Sequence, residues 1–165
     1  MGILFSAKEI FDIAIQIEKN GAALYRRAAG VAADAGARQE LNGLAAMEDR
    51  HVVTFTDLKA SLIDEAEESA WFDPENEAAR YLEAFAQGQV FDLLGSPPES
   101  LFRNAVLKDI LLYAVGRERD SIVFYLGMKE LAPAGLGREK VDRIIKEEMA
   151  HVAMLNRRLT QLGAG

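Results

Sequence analysis

Glu48-Asp49-Arg50-His51 and Glu148-Met149-Ala150-His151 contain the only two histidines of this 165-residue chain, each three residues after a glutamate. The two stretches lie 100 residues apart, and 30 residues before each of these glutamates stands another on an apolar background, Glu18 and Glu118. The same offset superimposes Tyr125 on Tyr25, Ala114 on Ala14, Val152 on Val52 and Arg138 on Arg38. With glutamate at roughly one position in ten, both histidines would carry one at this spacing about one time in a hundred by chance. A constellation that occurs twice indicates two copies of one structural unit, and the intervening residues make that unit a helical hairpin.

Ser6-Ala7-Lys8-Glu9 reads as a capping box ahead of a helical stripe at Phe11, Ala14, Ile15, Glu18, Ala22, Tyr25 and Ala29. After a turn over residues 30–36, a second stripe runs through Leu41, Leu44, Glu48, His51, Val52, Phe55, Leu58 and Leu62. The third comprises Leu107, Ile110, Leu111, Ala114, Glu118, Ile122, Tyr125 and Met128, and stops near Pro133-Ala134-Gly135. The fourth comprises Val141, Ile144, Ile145, Glu148, His151, Val152, Leu155, Leu159 and Leu162, with Gly163 past its end. Short turns within each pair predict two antiparallel hairpins, whereas about 40 residues separate the second helix from the third. That crossover opens with the acidic Asp64-Glu65-Ala66-Glu67-Glu68, and Asp73-Pro74-Glu75 caps a shorter helix ending near Gly88. Gly95-Ser96-Pro97-Pro98 then breaks the chain, while Trp71, Phe72, Tyr81, Phe85 and Phe91 are expected to cover the bundle. The expectation is an all-α, four-helix bundle forming one domain over residues 1–165.

Composition restricts the function. The formal charge of −7 and the lack of a Lys/Arg stripe argue against nucleic acid and anionic lipid as partners. With no cysteine, disulfides, thiolate metal sites and thiol chemistry are excluded, so any metal must use oxygen and imidazole. The N-terminus lacks a basic region and a long apolar run, and the most apolar internal stretch, 110–115, falls far short of the roughly 20 residues of a membrane span. A cytoplasmic protein with no membrane segment is expected.

Glu18, Glu48, Glu118 and Glu148 each fall within the apolar stripe of their helix, so bundling turns all four inward. An isolated buried carboxylate costs several kcal/mol even after relaxation, and proteins keep such groups when they are paired or coordinate metal. Two divalent cations would balance four carboxylates and leave His51 and His151 neutral. Residues i and i+3 share a helix face, which lets Glu48 with His51, and Glu148 with His151, reach one ion or two neighbouring ions. Carboxylate and imidazole without thiolate suit iron or manganese, and zinc would also bind. Tyr25 and Tyr125, two turns beyond Glu18 and Glu118, either hydrogen-bond a ligand carboxylate or simply pack. Glu147 is expected to face elsewhere, and an empty site is expected to raise its carboxylate pKa values.

The double Glu-x29-Glu-x-x-His pattern, with its long central connection, resembles the ferritin-like superfamily of di-iron carboxylate proteins, and within it the rubrerythrins. Glu118-Arg119-Asp120-Ser121 through Phe124-Tyr125 also resembles the rubrerythrin third helix. The resemblance implies a ferritin-like bundle holding two iron ions on Glu18, Glu48, His51, Glu118, Glu148 and His151, with Glu48 and Glu148 bridging as the catalytic carboxylates. It also implies reduction of hydrogen peroxide, or of dioxygen, and a homodimer. Many rubrerythrins carry a cysteine-ligated rubredoxin-like domain; its absence here implies an external electron-donor protein. They also have an extra glutamate one turn from the third-helix ligand, whereas Glu118 is flanked by Ala114, Val115, Ser121 and Ile122. The symmetric six-ligand set is closer to a bacterioferritin-like ferroxidase or a generic di-iron oxidase, which leaves iron handling, or a non-catalytic metal-binding bundle, as alternatives.

Overall fold

The computed structural model describes residues 7–65, 80, 94–103, 106–131 and 136–163. It is helical, with α1 at Ala7–Val31, α2 at Ala35–Glu65, α3 at Ser100–Arg103, α4 at Leu107–Leu131 and α5 at Leu136–Gly163. The expected cap at Ser6, the acidic run beyond Glu65, the short crossover helix with its five aromatic residues, and Pro133-Ala134-Gly135 lie outside the described residues. Among the described residues, no helix is long and apolar enough to cross a membrane.

The first turn is shorter than the glycines suggest. Helix α1 continues through Gly30, and α2 starts at Ala35, before Gly36. Asp34 is the reason, because its Oδ2 accepts a hydrogen bond from the Ala37 amide at 2.7 Å and so caps the α2 N-terminus. Arg38 closes the other side of the turn by donating from Nη2 to the Ala32 carbonyl at 3.0 Å. Its repeat counterpart Arg138 donates to the Glu130 carbonyl at 3.2 Å, in the last turn of α4. The repeated arginine therefore ties off the preceding helix in both hairpins.

Helix α1 packs on α2 and α4, and α5 packs on α2 and α4. Cross-helix partners fix the directions. Tyr25 meets Glu118 while Tyr125 meets Glu18, so α1 and α4 are antiparallel. His51 meets Glu148 while His151 meets Glu48, so α2 and α5 are antiparallel as well. Each long helix thus runs opposite to both neighbours, and the end of α2 lies at the other end of the bundle from the start of α4. Leu94 packs over the α1 half that starts the chain, Gly95 accepts a hydrogen bond from Asn20, and Arg27 pairs with Glu99 at 3.0 Å and covers the Phe102 ring. This segment therefore follows α1 along the bundle towards α3.

The core divides into two apolar layers. One joins Ile10, Phe11 and Ile17 of α1 to Phe55, Phe124, Tyr125, Met128 and Ile144. The other joins Leu24, Ala28, Ala29, Leu41, Leu44 and Ala45 to Ile110, Leu111, Ala114 and Leu155. The alanines let α1 and α2 approach closely near their shared turn, whereas the first layer is filled by rings. Leu162, at the end of the fourth stripe, is exposed in the final turn of α5. Phe55 has no exposed surface, and its ring centroid lies 5.1 Å from that of Tyr125 and 6.3 Å from that of Phe11. Phe55→Ala is expected to lower unfolding free energy by about 3–5 kcal/mol, measured by denaturant titration of the metal-free protein.

Candidate metal centre

Between the two apolar layers lies a polar one. Helix α1 supplies Glu18, α2 supplies Glu48 and His51, α4 supplies Glu118, and α5 supplies Glu148 and His151; none is more than 6% exposed. Their ligand atoms form two sets of four, each with all members within 4.8 Å of one another. Glu18, Glu48, His51 and Glu148 make one set, and Glu118, Glu48, His151 and Glu148 the other. Glu48 and Glu148 belong to both.

Both imidazoles present Nδ1 to the carboxylates. His51 Nδ1 lies 2.8 Å from Glu148, 3.2 Å from Glu18 and 3.4 Å from Glu48. His151 Nδ1 lies 2.9 Å from Glu148, 3.0 Å from Glu48 and 3.5 Å from Glu118. The rings stack with centroids 5.9 Å apart. Glu48 Oε1, both Glu148 oxygens and both His151 nitrogens are buried without making a hydrogen bond among the described residues. Buried polar atoms are ordinarily satisfied, and here the orphans include the oxygens common to both sets. Lone-pair donors converging without hydrogen bonds are what a bound cation requires, so the donor set fits a metal.

The tyrosines act across the bundle. Tyr25 donates to Glu118 Oε1 on α4, and Tyr125 donates to Glu18 Oε1 on α1. Each phenol thus serves the carboxylate of the opposite helix, not the glutamate two turns away on its own. Burial, followed by the nearby carboxylates, pushes both phenol pKa values up, so the hydroxyls stay protonated and act as donors.

Two further residues, Gly21 and Glu147, take part that the sequence had not placed at the site. At Gly21, an added Cβ would sit 3.3 Å from Glu48 Cγ, so glycine admits the shared carboxylate beside α1. Its repeat counterpart is Ser121, buried, with its hydroxyl turned back to the Glu118 carbonyl at 2.8 Å. Glu147, expected to face elsewhere, instead places Oε2 2.8 Å from His51 Nε2. The imidazole reaches past the face that Glu148 occupies, a distance set by side-chain length and not by helix phase. The adjacent acids Glu147-Glu148 were the available signal.

Without metal the cluster balances its own charge. Burial and then the Glu48 charge push the Glu18 pKa well up, and burial with the Glu148 charge lifts Glu118 to about 8. Glu148 departs from the expected rise: burial and Glu18 push its pKa up, but the closeness of both imidazoles, with Nδ1 atoms 2.8 and 2.9 Å from its oxygens, outweighs them and holds it down. Burial opposes charging of the imidazoles, yet the surrounding carboxylates push His151 up to about 12, and His51 is raised too. Protonated imidazoles thus substitute for cations.

Comparison of the chain with protein-family models, with curated proteins and with solved structures yields no match, so function is argued from this geometry.

The shifts set a pH dependence. The Glu118 pKa rises from 4.5 to about 8 and the His151 pKa from 6.5 to about 12. For both groups the folded, metal-free chain binds more protons than the unfolded chain, so their stabilisation is complete below the unfolded values and is lost as pH rises through the folded ones. The lowered Glu148 acts in the other direction, with stabilisation lost on acidification below its ordinary range. Thermal scans of metal-free protein should therefore show a lower melting temperature at about pH 9 than at about pH 6, and saturating metal should remove that loss. A metal-free melting temperature that rises over this interval would contradict the proton assignment.

Proposed function

We propose that this chain is a rubrerythrin-like protein of the ferritin-like di-iron class, and that it reduces hydrogen peroxide with electrons from an external donor protein. The observation that carries the reading is the pair of overlapping four-ligand sets sharing Glu48 and Glu148. Two divalent ions against four carboxylates and two neutral imidazoles leave no net charge in the buried layer, which removes the penalty that burial imposes. Glu48 and Glu148 would bridge the ions, Glu18 with His51 would complete one position, and Glu118 with His151 the other. Two ferrous ions, when bound, supply the two electrons that convert hydrogen peroxide and two protons into two water molecules.

The remaining contributions come from the chain. Tyr25 Oη and Tyr125 Oη hold the terminal carboxylates Glu118 and Glu18 in place by hydrogen bonds, which limits their freedom to swing when charge changes beside them. The apolar layers above and below exclude bulk water. A cavity of about 30 Å³ is lined by Glu18, Gly21, Glu48 and Glu118 and extends to Gly95, Pro97 and Tyr113. That volume suits a molecule of roughly the size of one or two waters.

The test is the rate at which anaerobically ferrous-loaded protein is oxidised, followed by stopped-flow absorption with hydrogen peroxide or dioxygen at equal concentration. Peroxide is expected to be faster by on the order of tenfold or more, corresponding to about 1.4 kcal/mol or more of barrier. Equal rates, or faster oxidation by dioxygen, would sink the peroxidase assignment in favour of ferroxidase chemistry.

A further inference from the structure

The two halves of the centre match in their six ligands but differ behind the histidines. His51 Nε2 faces Glu147 Oε2 at 2.8 Å, while His151 Nε2 is buried and makes no hydrogen bond among the described residues. The 100-residue offset explains the difference, because the residue that corresponds to Glu147 in the first hairpin is Met47. A thioether is at best a weak acceptor and cannot replace a carboxylate.

This asymmetry bears directly on metal affinity. An imidazole that binds a cation through Nδ1 must carry its proton on Nε2. At His51, Glu147 can accept that proton's hydrogen bond, which fixes the tautomer, orients the ring and makes Nδ1 a stronger donor. At His151 the same tautomer leaves a buried N–H without a partner, a cost that the His51 side does not bear. The Glu147 side chain borders a hollow of about 260 Å³ lined also by Arg50, Thr54, Lys140 and Arg143, so it keeps contact with solvent while holding the ring.

We propose that the two metal positions are unequal, that the position built from Glu18, His51 and the shared Glu48 and Glu148 fills first and more tightly, and that Glu147 is the positioning residue responsible. The inference rests on the dinuclear reading above. Filling order matters because the second ion enters a site in which Glu48 and Glu148 are already committed to the first.

The experiment is titration of metal-free protein with cobalt(II), followed by calorimetry and by visible absorption, for the wild type, Glu147→Leu, Glu147→Gln and Met47→Glu, with circular dichroism as a check of folding. The wild type should bind two ions in two resolved steps. Glu147→Leu should weaken the first step by about 10- to 100-fold and leave the second nearly unchanged. Glu147→Gln, whose side-chain carbonyl still accepts from Nε2–H, should recover part of the loss. Met47→Glu should strengthen the second step and bring the two together. Two ions bound with equal affinity, or equal weakening of both steps in Glu147→Leu, would overturn the inequality while leaving the dinuclear reading intact. A wild type that binds no cobalt would overturn both.

Discussion

Four glutamates placed inside an apolar helical bundle are the constraint on which the rest of the structure depends. Each lies on the stripe that its helix must bury, so the bundle cannot close without desolvating all of them. The surrounding features offset this cost. Two histidines, one turn from Glu48 and Glu148, present Nδ1 to the carboxylates, and two phenols donate across the bundle to Glu18 and Glu118. What these leave unsatisfied is concentrated on the shared oxygens of Glu48 and Glu148 and on His151. A pair of cations would satisfy those atoms and release the protons that the metal-free cluster retains.

The antiparallel arrangement makes the reciprocal contacts possible. Because every long helix runs opposite to its neighbours, position 18 lies opposite 125 and 25 opposite 118, while 48 lies opposite 151 and 51 opposite 148. A duplicated hairpin that packs about an approximate two-fold axis thus needs only one set of ligands, written twice. The copies have diverged where the ligands do not constrain them. At the 100-residue offset Gly21 corresponds to Ser121, Met47 to Glu147, and Asp49-Arg50 to Met149-Ala150. Asp49 forms an exposed ion pair with Arg26, whereas Met149 is left exposed at the corresponding place.

The helices and the six inward acids and histidines were legible in the sequence because periodicity reports which face is buried, and an acid or histidine on that face is conspicuous. The limits of the helices were less so. Gly30 and Gly36 suggested a seven-residue turn, but the Asp34 cap and the Arg38 bond to the Ala32 carbonyl keep it to three. That the six ligands meet was legible, but the pairing of particular side chains between helices was not, since it depends on register. The tyrosine pairing crosses from one hairpin to the other, and Glu147 reaches His51 over 96 positions of sequence. The opposite pKa shifts of Glu118 and Glu148 depend on where two imidazole nitrogens point, which composition does not encode.

The most direct test of the central claim is X-ray diffraction from crystals of the protein loaded anaerobically with ferrous ion, with anomalous data collected on both sides of the iron absorption edge. Two anomalous peaks are expected in the buried layer, one between Glu18 and His51 and the other between Glu118 and His151, both in contact with Glu48 and Glu148. A buried layer with no anomalous peak, in protein whose fold matches the one described, would contradict the claim.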